Sequence, residues 1–200
     1  MRVIEFFGMP RAGKTEQIIR LSSYLKEKGI KHLIITDREI EKDINIPLEA
    51  AFEYNIVFFN KILENLLSAK HSGKYDLVIL DRGFLDGEVW FNIEHKQNNL
   101  SDYEKETANK YIEALRKYVD VGVFIIIDTT LTIKRHESKG EVGKADDYVL
   151  KNYVEGLHQE YLNLKKKFQN DQRILLLEGH ESIEDLHSKI INKLRQDDLI

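Results

Sequence analysis

The sequence predicts an α/β fold, a doubly wound five-stranded parallel sheet flanked by helices. Five short runs are apolar throughout, helical patterns separate them, and the 200 residues contain no repeat and no Pro/Gly-rich linker. Strands that are apolar on both faces are typical of a parallel sheet covered by helices on both sides. We therefore expect a single domain over residues 1–200.

The predicted strands are rich in Val, Ile, Leu and Phe. They span residues 3–7, 32–36, 76–80, 122–127 and 173–177. At four of the five strand ends the next residues are charged or glycine-rich. Because ligands bind beyond the carboxyl ends of the strands in such sheets, we expect these residues to carry the function.

The predicted helices follow from apolar residues spaced three or four positions apart. The first has Ile18 and Leu25 on one face and Gly29 as its stop. Ser101 followed by Glu104 predicts a capping box at the start of another helix. The pattern over 47–69 is compatible with one break. The predicted helices span residues 12–28, 47–69, 101–118, 145–168 and 182–194.

The composition excludes several classes of function. Without cysteine, the chain has no disulfide, thiolate metal site or cysteine nucleophile. The 30 basic and 34 acidic residues give a net charge of −4, which disfavours a general nucleic-acid-binding protein. The longest apolar run, 121–127, is too short to span a membrane, and the first residues show no signal-peptide pattern. We expect a cytoplasmic protein that binds a small molecule and no membrane, and nucleic acid is disfavoured as a partner.

A phosphate-binding motif stands between the first predicted strand and the first predicted helix. Residues 8–15 match the pattern G-x-x-x-x-G-K-[ST] at every specified position. The backbone N–H groups of such a loop point at phosphate oxygens, and the helix dipole attracts the anion. Lys14 would reach the β- and γ-phosphates, and Thr15 would hold Mg²⁺. The predicted nucleotide-binding residues are Gly8, Met9, Pro10, Arg11, Ala12, Gly13, Lys14, Thr15 and Glu16.

Three further charged residues are candidates near this loop. Arg11 lies inside it, where a cation would stabilise the charge that develops during phosphoryl transfer; a solvated loop arginine is the alternative. Asp81 follows the third strand and is expected to support the metal, with a helix cap as the alternative. Arg82 is expected to contact a phosphate through two hydrogen bonds, and the alternative is a structural ion pair.

The second strand ends in Asp37, Arg38 and Glu39. One of the two carboxylates would accept a proton from an attacking hydroxyl, and the sequence does not choose between them. Arg38 would hold an anionic acceptor. The alternative for all three residues is a solvated, charged turn.

A basic, glycine-containing segment around residues 134–146 follows the fourth strand. We expect a mobile lid, whose closure would bring positive charge onto the transferring phosphate and exclude water; a surface loop is the alternative. Arg135 is the preferred lid residue. Phe58 and Trp90 are candidates for stacking on a base, although core packing is the commoner role of such aromatic residues.

Four stretches together resemble the thymidylate kinase and deoxynucleoside kinase branch of the P-loop kinases. They match that branch in order and spacing over nearly the whole chain. The stretches are Ile-Glu-Phe-Phe-Gly at 4–8 with Arg-Ala-Gly-Lys-Thr-Glu-Gln at 11–17, Thr-Asp-Arg-Glu at 36–39, Asp-Arg-Gly at 81–83, and the segments 135–140 and 153–161.

The resemblance implies a P-loop NTPase fold of the nucleotide-kinase type, ATP and Mg²⁺ as cofactors, and a homodimer. It also implies a nucleoside or nucleoside monophosphate as the acceptor. By position, Lys14, Arg82 and Arg135 would stabilise the transferring phosphoryl group. Thr15 and Asp81 would organise the metal, and Arg38 would hold the acceptor.

The chain departs from the family's pattern at four places. Pro10 stands where thymidylate kinases usually carry aspartate. Asn-Lys rather than arginine follows Phe58 and Phe59, Gly83 replaces an aromatic residue or serine, and Lys139 stands where the family has a second lid arginine. The resemblance therefore leaves the identity of the acceptor open.

The sequence as a whole predicts an ATP-dependent nucleoside or nucleotide kinase. One alternative is a P-loop kinase whose acceptor is an RNA end or is not a nucleotide. Another is a nucleotide-dependent ATPase or switch. A GTPase is disfavoured, because Asp-Thr-Thr at 128–130 stands where a guanine-specific motif would follow the fourth strand.

Overall fold

A five-stranded parallel sheet forms the centre of the protein. The structure, a computed structural model, describes residues 1–138 and 147–200. The sheet has the order β2-β3-β1-β4-β5, so the chain crosses from the central β1 to the edge strand β2, returns to β3, and then continues through β4 to β5 on the other side. This confirms the predicted doubly wound parallel sheet. The strands are β1 (Arg2–Gly8), β2 (His32–Thr36), β3 (Leu77–Asp81), β4 (Val121–Ile126) and β5 (Ile174–Glu178).

Helices connect and cover the strands. The predicted capping box begins α5: the Ser101 side chain accepts from the Glu104 N–H at 3.3 Å, and the Ser101 N–H donates to the Glu104 carboxylate at 2.8 Å. The helices of the described residues are α1 (Lys14–Glu27), α2 (Asp37–Lys42), α3 (Ala51–Ser72), α4 (Gly87–Lys96), α5 (Asp102–Leu115), α6 (Thr129–Glu137), α7 (Asp147–Phe168) and α8 (Ile183–Gln196).

The sequence did not predict α2, α4 and α6. In α4, Val89, Phe91 and Ile93 are all buried, an alternation more typical of a strand than of a one-sided helix. This helix lies between other helices, so it is covered on more than one side. α3 runs unbroken from residue 51 to residue 72. Of the predicted lid, residues 134–137 form the end of α6, and residues 139–146 lie outside the described part of the chain.

The inner strands could be predicted from the sequence because they are buried, and therefore mostly apolar, along nearly their whole length. Every residue of β3 and β4 is buried, as is every residue of β1 after Arg2. α7 adds Leu157, Tyr161 and Leu164 to the same core. Among the described residues, no helix is long and apolar enough to cross a bilayer.

The strand register brings the predicted functional segments to one edge of the sheet. Phe6 of β1 and Thr36 of β2 are both paired with Asp81 of β3. Gly8 at the end of β1 is paired with Ile125 of β4. The loop after β1, the start of α2 and the turn after β3 therefore share the carboxyl edge, where ligands of such sheets bind.

Candidate active site

The phosphate loop depends on glycine at its first position. Gly8 has φ +118°, and a Cβ there would lie 2.1 Å from the carbonyl oxygen of Ile125. The same carbonyl accepts from the Met9 N–H at 3.1 Å. No side chain fits between the loop and β4, so the chain must turn at this point against the neighbouring strand.

Lys14 folds back across the loop from the first turn of α1. Its Nζ donates to the carbonyl oxygens of Gly8 and Met9 at 3.0 and 2.9 Å. Burial, with a smaller contribution from Arg82, lowers the pKa of Lys14 to about 7. The loop therefore holds the ammonium group in place before any phosphate is bound.

A cavity of about 700 Å³ opens beside the loop. Gly8, Met9 and Ala12 lie buried behind it, with Met9 and Ala12 in the core. The other predicted loop residues line the cavity: Pro10, Arg11, Gly13, Lys14, Thr15 and Glu16. Among the described residues that line the cavity, five are Lys or Arg and three are Asp or Glu. This excess of positive charge suits a polyphosphate ligand.

Thr15 and Asp81 meet at the floor of this cavity. The Thr15 hydroxyl donates to Asp81 Oδ2 at 3.2 Å. Burial raises the pKa of Asp81, while Lys14 opposes the shift. Hydroxyl and carboxylate oxygens are ligands that Mg²⁺ prefers, and Mg²⁺ usually takes only one or two from the protein. This pair fits such a site, and the described residues contain no larger metal-binding cluster of His, Asp or Glu.

Arg82 is held on several sides at the end of β3. Its Nη1 donates to Asp86 Oδ2 at 3.2 Å and to the Tyr161 hydroxyl at 3.1 Å. Its Nε lies 3.4 Å from Asp37 Oδ2, and its guanidinium lies 4.9 Å from the centre of the Trp90 ring. Burial alone would lower the pKa of Arg82, but Tyr161 and Asp86 raise it above the usual value. The group is a fixed cation.

Asp86 and Tyr161 form the support of Arg82, and the sequence interpretation missed both in this role. Both are fully buried, and the Tyr161 hydroxyl donates to Asp86 Oδ2 at 2.8 Å. Asp86 Oδ1 has no hydrogen-bond partner in the described structure. Tyr161 lies in the predicted helix over residues 145–168, where its hydroxyl was the available signal, since a buried tyrosine hydroxyl usually finds a partner.

Glu5 of β1 fixes the turn between Arg82 and Asp86. Its two carboxylate oxygens accept from the N–H groups of Phe84 and Leu85, both at 2.8 Å. Burial, with a smaller contribution from Asp86, raises the pKa of Glu5 to about 8. The turn that carries Arg82 is therefore attached to the central strand of the sheet.

The raised pKa of Glu5 predicts a pH-dependent stability. A carboxyl whose pKa is about 8 in the folded protein, against 4.5 ordinarily, stabilises the fold fully below pH 4.5 and loses that contribution as the pH rises to 8. Glu5→Gln, which is uncharged at every pH, should flatten this part of the profile. Urea unfolding at pH 5, 6.5 and 8 measures the free energy of unfolding of the parent and of Glu5→Gln. Glu53→Gln, at an exposed position, is the control. Equal pH slopes for the parent and Glu5→Gln would contradict the assignment.

A second cavity, of about 350 Å³, adjoins the first. The predicted base-stacking residues Phe58 and Trp90 both line it, brought together from α3 and α4. Asp37 and Arg82 line both cavities, so they stand where the two meet. Tyr153 of the second cavity belongs to the segment 153–161 of the family resemblance. Other residues that line this cavity had no signal in a short motif: Glu41, Leu48, Tyr54, Asn55 and Glu94.

The three charged residues after β2, which are Asp37, Arg38 and Glu39, line different cavities. Arg38 lines the phosphate cavity and not the second cavity. Glu39 accepts from the Thr36 hydroxyl at 3.0 Å at the start of α2, and it lines a separate groove between β2, α2 and α3. Asp37 is the carboxylate at the junction of the two cavities.

Arg135 lies in the last turn of α6 and lines the phosphate cavity. Its Nη1 donates to the carbonyl oxygen of Arg11 at 2.7 Å, and its Nη2 donates to that of Gly179 at 3.2 Å. Arg11 has φ +61° and faces the same cavity. Arg135 thus joins α6, the phosphate loop and the segment after β5.

Comparisons with known proteins agree with this architecture. No protein-family model matches the chain. The thymidylate kinase of Caldanaerobacter subterraneus subsp. tengcongensis is 25% identical over 209 residues, which cover 98% of this chain and 95% of that protein. Deoxyadenosine kinase from M. mycoides is similar in structure: with bound dATP the TM-score is 0.68 at 20% identity, covering 96% of this chain and 99% of that one.

A second structure of the same deoxyadenosine kinase, with the product dCMP and a flexible dCDP bound, has a TM-score of 0.67 at 19% identity. It covers 97% of this chain and 99% of that chain. The chain has the fold of the P-loop nucleoside and nucleotide kinases. The predicted resemblance and the predicted enzyme class are thereby confirmed. The homodimer, the cytoplasmic location and the lid stay predictions.

Proposed function

We propose that this protein transfers the γ-phosphoryl group of ATP to a nucleoside or nucleoside monophosphate. One observation carries the proposal: two cavities of different character meet at Asp37 and Arg82. The phosphate loop lines the first, and aromatic side chains line the second. Two ligands in adjacent cavities would place their reacting atoms at the junction, which is the arrangement that phosphoryl transfer needs.

The donor is proposed to bind in the phosphate cavity. The N–H groups of the loop and the start of α1 would receive the phosphates, with Lys14 and Arg11 countering their charge. Thr15 and Asp81 would hold Mg²⁺, which neutralises phosphate charge when it is bound. Arg135 is proposed to reach the transferring group, which requires it to exchange its bonds to the carbonyl oxygens of Arg11 and Gly179.

The transfer step is proposed to use Asp37 and Arg82. Asp37 would accept the proton of an acceptor hydroxyl, and its place at the junction favours it over Glu39 for this role. Arg82, fixed by Asp86 and Tyr161, would stabilise the charge on the phosphoryl group in the transition state. Such a cation loses little conformational freedom in the reaction, because it is already positioned.

The acceptor is proposed to bind in the aromatic cavity. A base would stack on Phe58 or Trp90, and Arg38 would lie at the phosphate-cavity side of the acceptor. The volume of about 350 Å³ falls in the range of small-molecule sites. The similarity to a thymidylate kinase and to deoxyadenosine kinases with bound deoxynucleotides supports an acceptor of this class.

Transfer from [γ-³²P]ATP with Mg²⁺ to a panel of nucleosides, nucleoside monophosphates and short RNA ends tests the proposal. We expect label in a nucleoside mono- or diphosphate, formed at a rate that depends on the acceptor. Label in an RNA end would show that the acceptor is RNA and not a nucleoside or nucleoside monophosphate. Label only in inorganic phosphate, at a rate that no acceptor changes, would overturn the proposal in favour of an ATPase or switch.

A further inference from the structure

The acceptor cavity carries an excess of negative charge. Among the described residues that line it, four are acidic and one is basic. The basic residue is Arg82, and the acidic residues are Asp37, Glu41, Asp86 and Glu94. The adjoining phosphate cavity has the opposite balance, five basic side chains against three acidic ones. The two cavities are therefore suited to ligands of different charge.

Arg82 does not offset this excess. It pairs with Asp86 at 3.2 Å and with Asp37 at 3.4 Å, so two carboxylates already share its charge. Glu41 and Glu94 are two further carboxyl groups on the cavity wall. Glu94 accepts a hydrogen bond from the neutral amide of Asn99 at 2.8 Å, which leaves its charge in place.

The titration of neighbouring groups is in line with a negative cavity. Burial and then Asp37 raise the pKa of Glu41. Burial and then Glu41 raise the pKa of Tyr54, while burial and then Glu94 raise the pKa of Tyr153. Each of these groups lines the cavity, and each is discouraged from carrying a further negative charge there.

The place where the two cavities meet also carries a carboxylate, that of Asp37. In the proposed arrangement, the reacting atom of the acceptor lies beside Asp37 and Arg82, which line both cavities. A carboxylate at this point can accept the proton of a hydroxyl, whereas it repels an oxygen of a phosphate group. Arg82 is the one basic residue among the described residues that line the acceptor cavity, while Arg38 and Lys14 face Asp37 from the phosphate cavity.

We propose that the acceptor is an uncharged nucleoside, phosphorylated on a hydroxyl, and not a nucleoside monophosphate. This inference rests on the proposed kinase function and narrows its acceptor. In the step, the hydroxyl oxygen forms a bond to the γ-phosphorus of ATP, the bond from that phosphorus to the β-γ bridging oxygen breaks, and the hydroxyl proton passes to Asp37. The products are a nucleoside monophosphate and ADP.

Matched pairs of acceptors test the inference: deoxyadenosine against dAMP, deoxycytidine against dCMP, and thymidine against dTMP, with ATP and Mg²⁺. We expect kcat/KM for the best nucleoside to exceed that of its monophosphate by about 100-fold or more, as repulsion between fixed like charges requires. Equal or greater turnover of a monophosphate, especially if Arg38→Ala abolishes it, would overturn the inference and leave the kinase function standing.

Charge-neutralising variants test the stated cause. Glu41→Gln and Glu94→Gln should each improve kcat/KM for the monophosphate relative to its nucleoside by roughly 3- to 10-fold. Glu53→Gln on the exposed side of α3 does not line the cavity and is the matched control. An unchanged ratio in both cavity variants would refute the electrostatic explanation.

Calorimetric titration separates failure of this inference from failure of the kinase function. Deoxyadenosine and dAMP are titrated into the full chain without ATP. Tighter binding of the nucleoside, in a protein that turns over neither compound, would reject the kinase function and keep the charge selectivity. Tighter binding of the monophosphate would reject the selectivity in either case.

Discussion

Replacing Lys14 with alanine is expected to lower kcat for phosphoryl transfer by about 100- to 1,000-fold, the order of loss seen when a fixed electrostatic contact to a transition state is removed. The ammonium group is buried and donates to the carbonyl oxygens of Gly8 and Met9 in the loop. The charge it supplies is needed most as the γ-phosphoryl group moves. ADP release at saturating ATP and acceptor measures the effect.

Lys26→Ala is the matched control for this variant. Lys26 lies in the last turn of the same helix, α1, and is exposed. The Lys26→Ala variant should therefore have the same kcat as the parent protein. Because Lys14 also holds the loop, thermal unfolding of Lys14→Ala must show that the variant is folded at the assay temperature. A folded Lys14→Ala protein that keeps more than about a tenth of the parent kcat would contradict the role of the loop.

Replacing Asp86 with alanine is expected to destabilise the fold by about 3 kcal/mol, as breaking a buried ion pair does, and to lower kcat as well. Asp86 is fully buried and binds both Arg82 and Tyr161. Among the described residues, its loss leaves Asp37 as the one charged partner of the buried Arg82 guanidinium. Urea unfolding measures the stability, and steady-state kinetics measure the activity.

Two further variants distinguish the effect of positioning Arg82 on kcat from a general effect on the stability of the fold. Asp102→Ala is the control, because the Asp102 side chain is 98% exposed and forms a surface pair with His95, so the effect of its loss on stability should be small. Tyr161→Phe keeps both buried charges and removes a single hydroxyl. It should lower kcat by about 10-fold with little change in the KM for ATP. Parent-like kcat in Tyr161→Phe would contradict the positioning of Arg82 by this hydroxyl.

The sheet and the phosphate loop were predictable because they depend on local sequence. The strands are apolar throughout, and β3 and β4 are buried along their whole length. The loop is a contiguous motif whose glycine at residue 8 is required by the close approach of β4. The edge of the sheet at which Asp37, Asp81 and Arg82 meet follows from parallel strands alone.

The support of Arg82 and the acceptor cavity could not be predicted in the same way. Arg82 and Tyr161 are 79 residues apart, and only the packing of α7 against the sheet brings them together. The cavity is lined from α2, α3, α4 and α7, and two of these helices were not recognised in the sequence. Its charge is therefore a property of the fold and of no single motif.

Donor and acceptor are proposed to lie in two adjoining cavities that meet at Asp37 and Arg82. A bisubstrate analogue, adenosine joined to a nucleoside through a polyphosphate chain, tests this arrangement most directly when its binding is compared with that of ATP and of the nucleoside. We expect the analogue to bind at least about 100-fold more tightly than either ligand alone and each ligand to compete with it, since one molecule then fills both sites. An analogue that binds no better than ATP, and that no nucleoside displaces, would contradict two adjoining sites.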